Sequence, residues 1–234
     1  MRVKTVYILL LSSILLCLIV VMLSSFRDAA DPTAGMLSDT HIIIDAGHGG
    51  EDGGAVAGDV LEKDLNLSIA LRLSRLFRDG GFDVTDIRSE DISVYTDDAD
   101  TLSQKKTSDL HNRLAIFNSD ERNIVISIHQ NMFDDPRYSG TQVFYAASHD
   151  DSALLAECIR AKVVERLQPD NTRACKKADS NIYILYNATV PAVLVECGFL
   201  SNPDELNRLT DESYQQQLAL SIYEGFLDYY DNRR

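Results

Sequence analysis

The sequence predicts an α/β sheet covered by helices on both faces, preceded by one apolar segment long enough to cross a membrane. Three observations predict it. Short β-branched runs alternate with stretches whose apolar residues recur every three or four positions. Several of those runs are apolar throughout, as strands buried on both faces must be. Residues 6–23 carry no charge at all.

Val6 to Leu23 is an uncharged run of 18 residues, extended by Ser24, Ser25 and Phe26 before Arg27 interrupts it. A helix rises ~1.5 Å per residue against a hydrocarbon layer ~30 Å thick, so roughly 20 residues span it with modest tilt or thinning. The positive-inside rule keeps Arg2 and Lys4 in the cytoplasm and puts everything after Arg27 on the extracytoplasmic side. The alternative is a cleaved signal peptide. Its apolar region is shorter, ~7 to 15 residues, and Asp28-Ala29-Ala30 makes a poor cleavage site. Both readings export the body. The expected organisation is an anchor over 1–27, a linker over 28–40 containing Pro32 and Gly35 with no sustained period, and one domain over 41–234.

Anchor and linker balance three basic side chains (Arg2, Lys4, Arg27) against three acidic ones (Asp28, Asp31, Asp39), so the formal net charge of −14 belongs wholly to the body. Such a surface repels a phosphate backbone and excludes nucleic acid as a partner. Hydrophobic content of 45% with 25% charged residues fits one ordinary core rather than a disordered chain or a disulfide scaffold. Cys17 lies in the anchor. Cys158, Cys175 and Cys197 are expected to be buried free thiols, because their spacing matches neither a disulfide framework nor a cysteine-rich zinc site.

The elements of the body follow in order. His41 to Asp45 is a buried strand entering the glycine-rich turn Ala46-Gly47-His48-Gly49-Gly50. Leu65, Ile69, Leu73 and Leu76 form the apolar stripe of a first helix, with Arg72, Arg75 and Arg78 off it and Gly80-Gly81 as its stop. Phe82 to Ile87 is a second strand. Leu110, Leu114 and Phe117 mark a second helix over Thr101 to Asn118, and β-branched Ile124 to Ile128 is a third strand. Thr141 to Ala146 gives a fourth strand and Ser152 to Leu167 another amphipathic helix. A short strand over Thr172 to Cys175 and a short helix over Asn181 to Asn187 precede the apolar strand Ala192 to Val195. Pro203 to Leu209, then the stripe Tyr214, Leu218, Ile222, Phe226 and Tyr229, supply the closing helices.

Ligand-type residues stand just past three strand ends: His48 after the first, His129 closing the third, and Glu196 closing the last. Parallel strands deliver their carboxyl ends to one edge of an α/β sheet, so distant positions meet there. Glu62 precedes the first helix by about a turn, and the glycine-rich loop brings it back toward His48. Two imidazoles and one carboxylate suit Zn²⁺ with an open position for water, and Glu196 is then a candidate general base. A carboxylate in an apolar strand costs several kcal/mol unless it is paired or near a metal.

Each residue also has a plainer reading. A histidine at a strand end is commonly a satisfied polar core residue. The glycine-rich loop resembles a phosphate cradle in part, but it lacks a P-loop lysine and sits in an acidic body. His41, His111 and His149 read as ordinary. Asp45 either orients His48 or caps the loop, Asp64 caps the first helix, and Arg113 serves structure through an ion pair or faces solvent.

Four ordered motifs carry a resemblance. They are Asp45-Ala46-Gly47-His48-Gly49-Gly50 followed by Asp52-Gly53-Gly54-Ala55, then Glu62-Lys63-Asp64-Leu65-Asn66, then Ser127-Ile128-His129, and last Val195-Glu196-Cys197-Gly198-Phe199-Leu200-Ser201-Asn202. Together these resemble the zinc-dependent N-acetylmuramoyl-L-alanine amidases of the amidase_3 type, across essentially all of residues 41–230. The resemblance implies a mostly parallel, six-stranded sheet flanked by helices, Zn²⁺ as cofactor with His48, Glu62 and His129 as its ligands, and Glu196 as catalytic carboxylate. It implies peptidoglycan as substrate, cut between the lactyl group of N-acetylmuramic acid and L-alanine. Gln130-Asn131 after the second histidine, where many relatives have a small residue, together with the amino-terminal anchor, is similar to the CwlD-type branch of spore cortex formation. Members of that branch act with a muramic acid deacetylase to make muramic δ-lactam, and some use a lipoprotein partner. Two readings compete: a metallo-exopeptidase on envelope peptides, which uses similar ligands on related sheets, and a non-catalytic membrane-tethered scaffold.

Overall fold

The structure, a computed structural model, describes residues 39–233. The anchor expected over 1–27 and nearly all of the linker lie outside the described residues. Among those described, no helix is long and apolar enough to cross a membrane.

Among the described residues eight strands and six helices follow one another: β1 (His41–Ala46), β2 (Val56–Ala57), β3 (Val60–Leu61), α1 (Glu62–Asp79), β4 (Asp83–Asp86), α2 (Leu102–Phe117), β5 (Asn123–Asn131), β6 (Gln142–Tyr145), α3 (Asp151–Arg166), β7 (Lys176–Lys177), α4 (Tyr183–Asn187), β8 (Ala192–Phe199), α5 (Pro203–Leu209) and α6 (Glu212–Asn232). Six strands form one sheet in the order β4-β1-β5-β8-β6-β7, and β2 and β3 pair separately. β4, β1, β5 and β8 run parallel, whereas β6 is antiparallel to β8. The α/β class and the mostly parallel six-stranded sheet are thus as expected.

Strands β1, β5 and β8 lie inside the sheet, which explains their near-continuous apolar sequences. The two-residue alternation divides them between two cores. Ile43, Val125 and Leu194 join Phe117 of α2 and Ile184 and Leu185 of α4 in one buried cluster. The opposite face packs against α1 and, through β6, α3, both lying under α6. There Phe77, Phe82, Phe226 and Tyr230 meet as edge-on and stacked rings. Such aromatic pairs add about 0.5–1.5 kcal/mol each beyond the area they bury.

The parallel register brings the chemistry to one edge. Ala46 pairs with Ile128, and His129 pairs with Glu196. Asp45, Ser127, His129 and Glu196 share the alternation of Ile43, Val125 and Leu194, so they belong to the face covered by α2 and α4. Gln130 is buried on the other face, where it meets Asn66 of α1.

Several expectations need correction. Thr172 to Cys175 is not a strand; the edge strand there is Lys176–Lys177, whose exposed lysines carry no apolar signal. The β2–β3 hairpin inside the glycine-rich loop is too short for a sequence pattern. Glu62 does not precede α1 but begins it. Asp64 does not cap that helix, because the N-cap position is Leu61 and Asp64 is exposed in the first turn, where its charge still favours the helix dipole. Of the three body cysteines only Cys197 is fully buried; Cys158 and Cys175 are half-buried, and all three are free. The second helix is bounded as expected, with Thr101 and Gln104 forming a reciprocal capping box.

Candidate active site

His48, Glu62 and His129 come together at the carboxyl edge of the sheet, with one ligand-type atom from each within 4.8 Å of the others. Glu62 Oε1 lies 3.2 Å from His48 Nε2 and 3.0 Å from His129 Nδ1. The two imidazoles stand edge to face, with ring centroids 5.1 Å apart. Chain geometry enforces this approach. A Cβ on Gly47 would fall 2.2 Å from the His129 ring, so only glycine fits before His48. A Cβ on Gly54 would fall 2.6 Å from Glu62 Oε2, and its φ of +68° also favours glycine.

His48 itself has φ of 61°, in the left-handed region that non-glycine residues seldom occupy. Strain of this kind costs on the order of 1–3 kcal/mol and persists only where surrounding contacts over-determine it. Those contacts are present. Arg113 donates to Ala46 O at 2.9 Å and to His48 O at 2.8 Å. Arg88 donates to Ala46 O at 2.8 Å and Gly47 O at 3.0 Å, and Lys63 Nζ donates to Gly50 O at 2.8 Å. Three cations therefore clamp the carbonyls of the turn.

The glycine-rich loop turns several of its N–H groups to carboxylates instead of leaving them for a phosphate: Gly50 N–H donates to Asp91, Gly54 N–H to Asp52, and Ala55 N–H to Glu62 Oε2.

His48 Nδ1 is 2.9 Å from Asp52 Oδ2, and Lys106 Nζ of α2 is 3.0 Å from the other oxygen of Asp52. Asp52, not Asp45, is the carboxylate that orients His48. Asp45 points instead into the core, where it pairs with Arg113 and accepts from Ser127 Oγ at 2.6 Å. Arg113 is fully buried in that ion pair, so the solvent-facing alternative for it falls away. His41, His111 and His149 lie outside the cluster: His41 bonds Asn123, His111 packs on Tyr183, and His149 accepts from Asp151 N–H.

The electrostatics follow from these contacts. Burial works against a charged His48, but hydrogen bonds to Asp52 and Glu62 outweigh it and push the imidazole up to about 9. Burial likewise works against ionised Glu62, yet the hydrogen bonds from both histidines hold its carboxyl far below the ordinary range. Glu196 behaves in the opposite way. Burial, helped by the nearby charge of Glu62, pushes it up to about 7. Its Oε2 is buried and has no hydrogen-bond partner among the described residues.

A cavity of about 380 Å³ opens on His48, His129 and Glu196. Its other wall is apolar and includes Tyr95, Leu102 and Leu110 beside Tyr183. Leu110, one of the apolar residues that mark the second helix in the sequence, is 38% exposed and faces this space.

The arrangement offers a compact ligand set of two imidazoles and one carboxylate, a separate poorly solvated carboxylate, and room for a substrate between them. Such a set can hold a metal ion and place a base beside it. The four residues singled out from the sequence, His48, Glu62, His129 and Glu196, meet at this edge. The pairing of Asp52 with His48 and the supporting contacts of Asn66, Arg88 and Lys63 have no local pattern in the sequence.

Known proteins share this architecture. The family model described as Amidase_3, N-acetylmuramoyl-L-alanine amidase, matches residues 42–228. The germination-specific N-acetylmuramoyl-L-alanine amidase of Bacillus subtilis is 36% identical over 209 residues, covering 89% of this chain and 87% of that protein. The solved CwlD amidase from Clostridioides difficile, in complex with the GerS lipoprotein, is 40% identical with a TM-score of 0.79, covering 82% of this chain and 98% of that one. The amidase AmiC2 of Nostoc punctiforme is 29% identical with a TM-score of 0.71, covering 83% and 98%. With the family model spanning nearly the whole described body and the ordered motifs meeting at one sheet edge, this chain belongs to the Amidase_3 family of N-acetylmuramoyl-L-alanine amidases.

Proposed function

We propose that this amidase is zinc-dependent, with His48, Glu62 and His129 as the zinc ligands and Glu196 as the catalytic carboxylate, and that it acts in spore cortex maturation. One observation carries the assignment of roles: Glu196 Oε2 is buried without a partner among the described residues, beside three clustered ligand-type side chains, at a cavity open to substrate. An orphaned carboxylate of this kind costs stability unless a metal or a reacting proton compensates it. The donor set fits Zn²⁺, a borderline ion that takes imidazole nitrogen and carboxylate oxygen and keeps a position open in catalytic sites.

The bond cut joins the lactyl group of N-acetylmuramic acid to the L-alanine that begins the stem peptide. Bound Zn²⁺ supplies Lewis acidity and makes water a competent nucleophile near neutral pH. The rest falls to the chain. Asp52 accepts from His48 Nδ1 and fixes the ring so that Nε2 faces the cluster. Glu62 is locked by N–H groups of Ala55 and Gln130 at 2.8 and 3.1 Å. Glu196 takes a proton from the attacking water and delivers it to the departing alanine nitrogen. The apolar wall of the cavity binds the methyl-bearing groups on either side of the amide.

The uncharged run of residues 6–23 supports a membrane anchor that holds the domain on the extracytoplasmic side, in a spore-former the space between the forespore membranes. Similarity to the germination-specific amidase and to the CwlD amidase supports the cortex role, with muramic δ-lactam as the eventual product alongside a muramic acid deacetylase. The GerS complex of that neighbour supports a lipoprotein partner for this chain as well. Membership of the amidase family favours this reading over the metallo-exopeptidase and over the scaffold.

The test is to incubate the full chain with purified peptidoglycan, with added zinc and with a chelator, and to identify products by mass spectrometry. Release of intact stem peptides beginning with L-alanine, lost in chelator and restored by zinc, is the expected result. Peptides shortened by single residues, or cleavage indifferent to the chelator, would overturn it.

A further inference from the structure

Immediately after β5, three residues beyond His129, the chain enters a loop over residues 132–141 that displays large apolar side chains to solvent. Met132 is 47% exposed, Phe133 54% and Tyr138 45%. A loose loop would fold such residues inward, because exposed apolar area is unfavourable. This loop is not loose. Phe133 N–H donates to Ser201 Oγ at 3.2 Å, Asn202 Nδ2 donates to Pro136 O at 2.9 Å, and Gly140 N–H donates to buried Glu205 at 3.0 Å. Arg173 Nε donates to Ser139 O at 2.7 Å and lays its guanidinium over Phe199, 4.6 Å from the ring centre. Three ties from the segment after β8 and one from the segment before β7 therefore hold the loop open.

The rings are ordered as well. Tyr138 stacks on Phe199 with an interplanar angle of 28°, and Phe133 meets Tyr138 edge-on with centroids 4.9 Å apart. Phe199 pairs with Asn131 in the sheet, just as Glu196 pairs with His129. Three strand residues at ~3.3 Å each put this aromatic surface about 10 Å along β8 from the catalytic carboxylate. It stands on the same carboxyl edge, beside a polar groove of about 600 Å³ lined by Arg137, Tyr138, Arg173 and Arg208 among others.

We propose that Phe133 and Tyr138 form a glycan-binding shelf, on which an N-acetylhexosamine ring of the peptidoglycan strand stacks while a stem peptide of the same strand occupies the cavity. The inference rests on the amidase reading and adds a subsite to it. Three observations choose a sugar over other occupants. The exposed residues that lead the surface are flat rings, and a ring face suits the apolar C–H face of a pyranose. Guanidinium and carbonyl groups border the rings, as the hydroxyl and acetamido edges of a sugar require. The surface stands about 10 Å along β8 from Glu196, about the reach of a disaccharide. A largely uncharged glycan also reconciles polymer binding with a net charge of −14, which a polyanionic ligand would not tolerate.

The test uses the full chain in detergent and insoluble peptidoglycan whose stem peptides have been removed beforehand by an unrelated amidase, so that only the glycan is offered. Binding is read by cosedimentation. Wild type should bind, and the double variant Phe133→Ala, Tyr138→Ala should bind at least tenfold more weakly with an unchanged melting temperature. Tyr138→Phe, which keeps the ring, should bind as wild type does. Phe133→Leu, which keeps apolar area but loses the flat face, should bind as poorly as Phe133→Ala. Wild-type failure to bind stripped glycan, or undiminished binding by the double variant, overturns the proposal. So does tight binding by Phe133→Leu, which would show that the flat face of Phe133 is not what holds the glycan. The amidase reading is scored separately, by release of L-alanyl peptides from soluble muropeptides by wild type, so either can fail without the other.

Discussion

Asn66 lies four residues after Glu62 on α1, and its Nδ2 donates to Glu62 Oε1 at 3.2 Å while also reaching Gly47 O at 3.1 Å. Its Oδ1 in turn accepts from Gln130 Nε2 at 3.2 Å. One fully buried amide thereby joins the neighbour of His48, Glu62 itself and the neighbour of His129. Supports of this kind set the orientation of metal-binding side chains, and their loss typically costs 10- to 100-fold in metal affinity. Asn66→Ala should weaken zinc binding by about that factor, measured by competition against a chromophoric chelator. Equal affinity in variant and wild type would show that the Ala55 and Gln130 N–H groups suffice to hold Glu62.

Glu196 makes no described hydrogen bond through Oε2, so replacing it disturbs little besides its proton chemistry. Glu196→Gln conserves volume and should keep one zinc per chain by elemental analysis. Its kcat on peptidoglycan should fall by roughly 10²- to 10⁴-fold, the usual worth of a positioned acid–base group. A variant that retains both zinc and turnover would remove Glu196 from the reaction.

Much of this geometry was legible beforehand, and the reason is physical. β1, β5 and β8 are buried on both faces, so their apolar runs stand out, and the chemistry follows where each run stops: His48 two residues beyond β1, and His129 and Glu196 within the last four residues of β5 and β8, which run on past the apolar stretch. Glu62 enters the set through its place beside the first helix, where the glycine-rich loop returns it to His48, and the motif Glu62-Lys63-Asp64-Leu65-Asn66 adds to that reading. What stayed hidden depends on tertiary contacts. Arg88 and Asn66 are buried polar residues satisfied by carbonyls and amides far away in sequence. Leu110 fits a helical stripe equally well whether that stripe meets the core or a substrate cavity. β7 consists of two exposed lysines, and nothing in their chemistry announces an edge strand.

Asp45 and Arg113 are 0% and 2% exposed at the side chain and form an ion pair beneath the His48 turn. Removing one partner leaves the other buried and uncompensated, which typically costs about 3–5 kcal/mol. Arg113→Met should therefore destabilise the domain by about that amount and also free the carbonyls of Ala46 and His48, a loss read as a lower midpoint in urea unfolding. Should the midpoint stay unchanged, the pair contributes nothing net.

Acid should act through the same pair. Burial works against the Asp45 charge, but Arg113 and Ser127 hold its carboxyl below the ordinary value of 3.8. A carboxylate depressed in the folded state stabilises fully above its unfolded pKa, and that contribution fades as pH falls through and below about 4. Stability measured by urea unfolding should drop between pH 5 and pH 3. Asp45→Asn should be less stable at pH 6 but show a shallower drop. An identical slope in the two proteins would assign acid sensitivity to other carboxylates.

The apolar wall of the cavity supplies the last prediction. Leu110 is 38% exposed and Leu102 66%, both on α2 and both lining the space before Glu196. No element of the described body covers these side chains, whereas a substrate in the cavity would. Leu110 is not among the proposed reacting groups, so its substitution leaves each of them in place. Fully burying a leucine contributes roughly 1.5–3 kcal/mol, and a residue already partly buried has about half of that left to gain. Leu110→Ser should then raise KM for soluble muropeptides by roughly 3- to 10-fold while kcat changes little, since the lost contact is made equally in ground and transition states. Zinc content should match wild type. A fall in kcat with unchanged KM would instead place Leu110 against the reacting centre, and no kinetic change at all would move the substrate to another part of the edge.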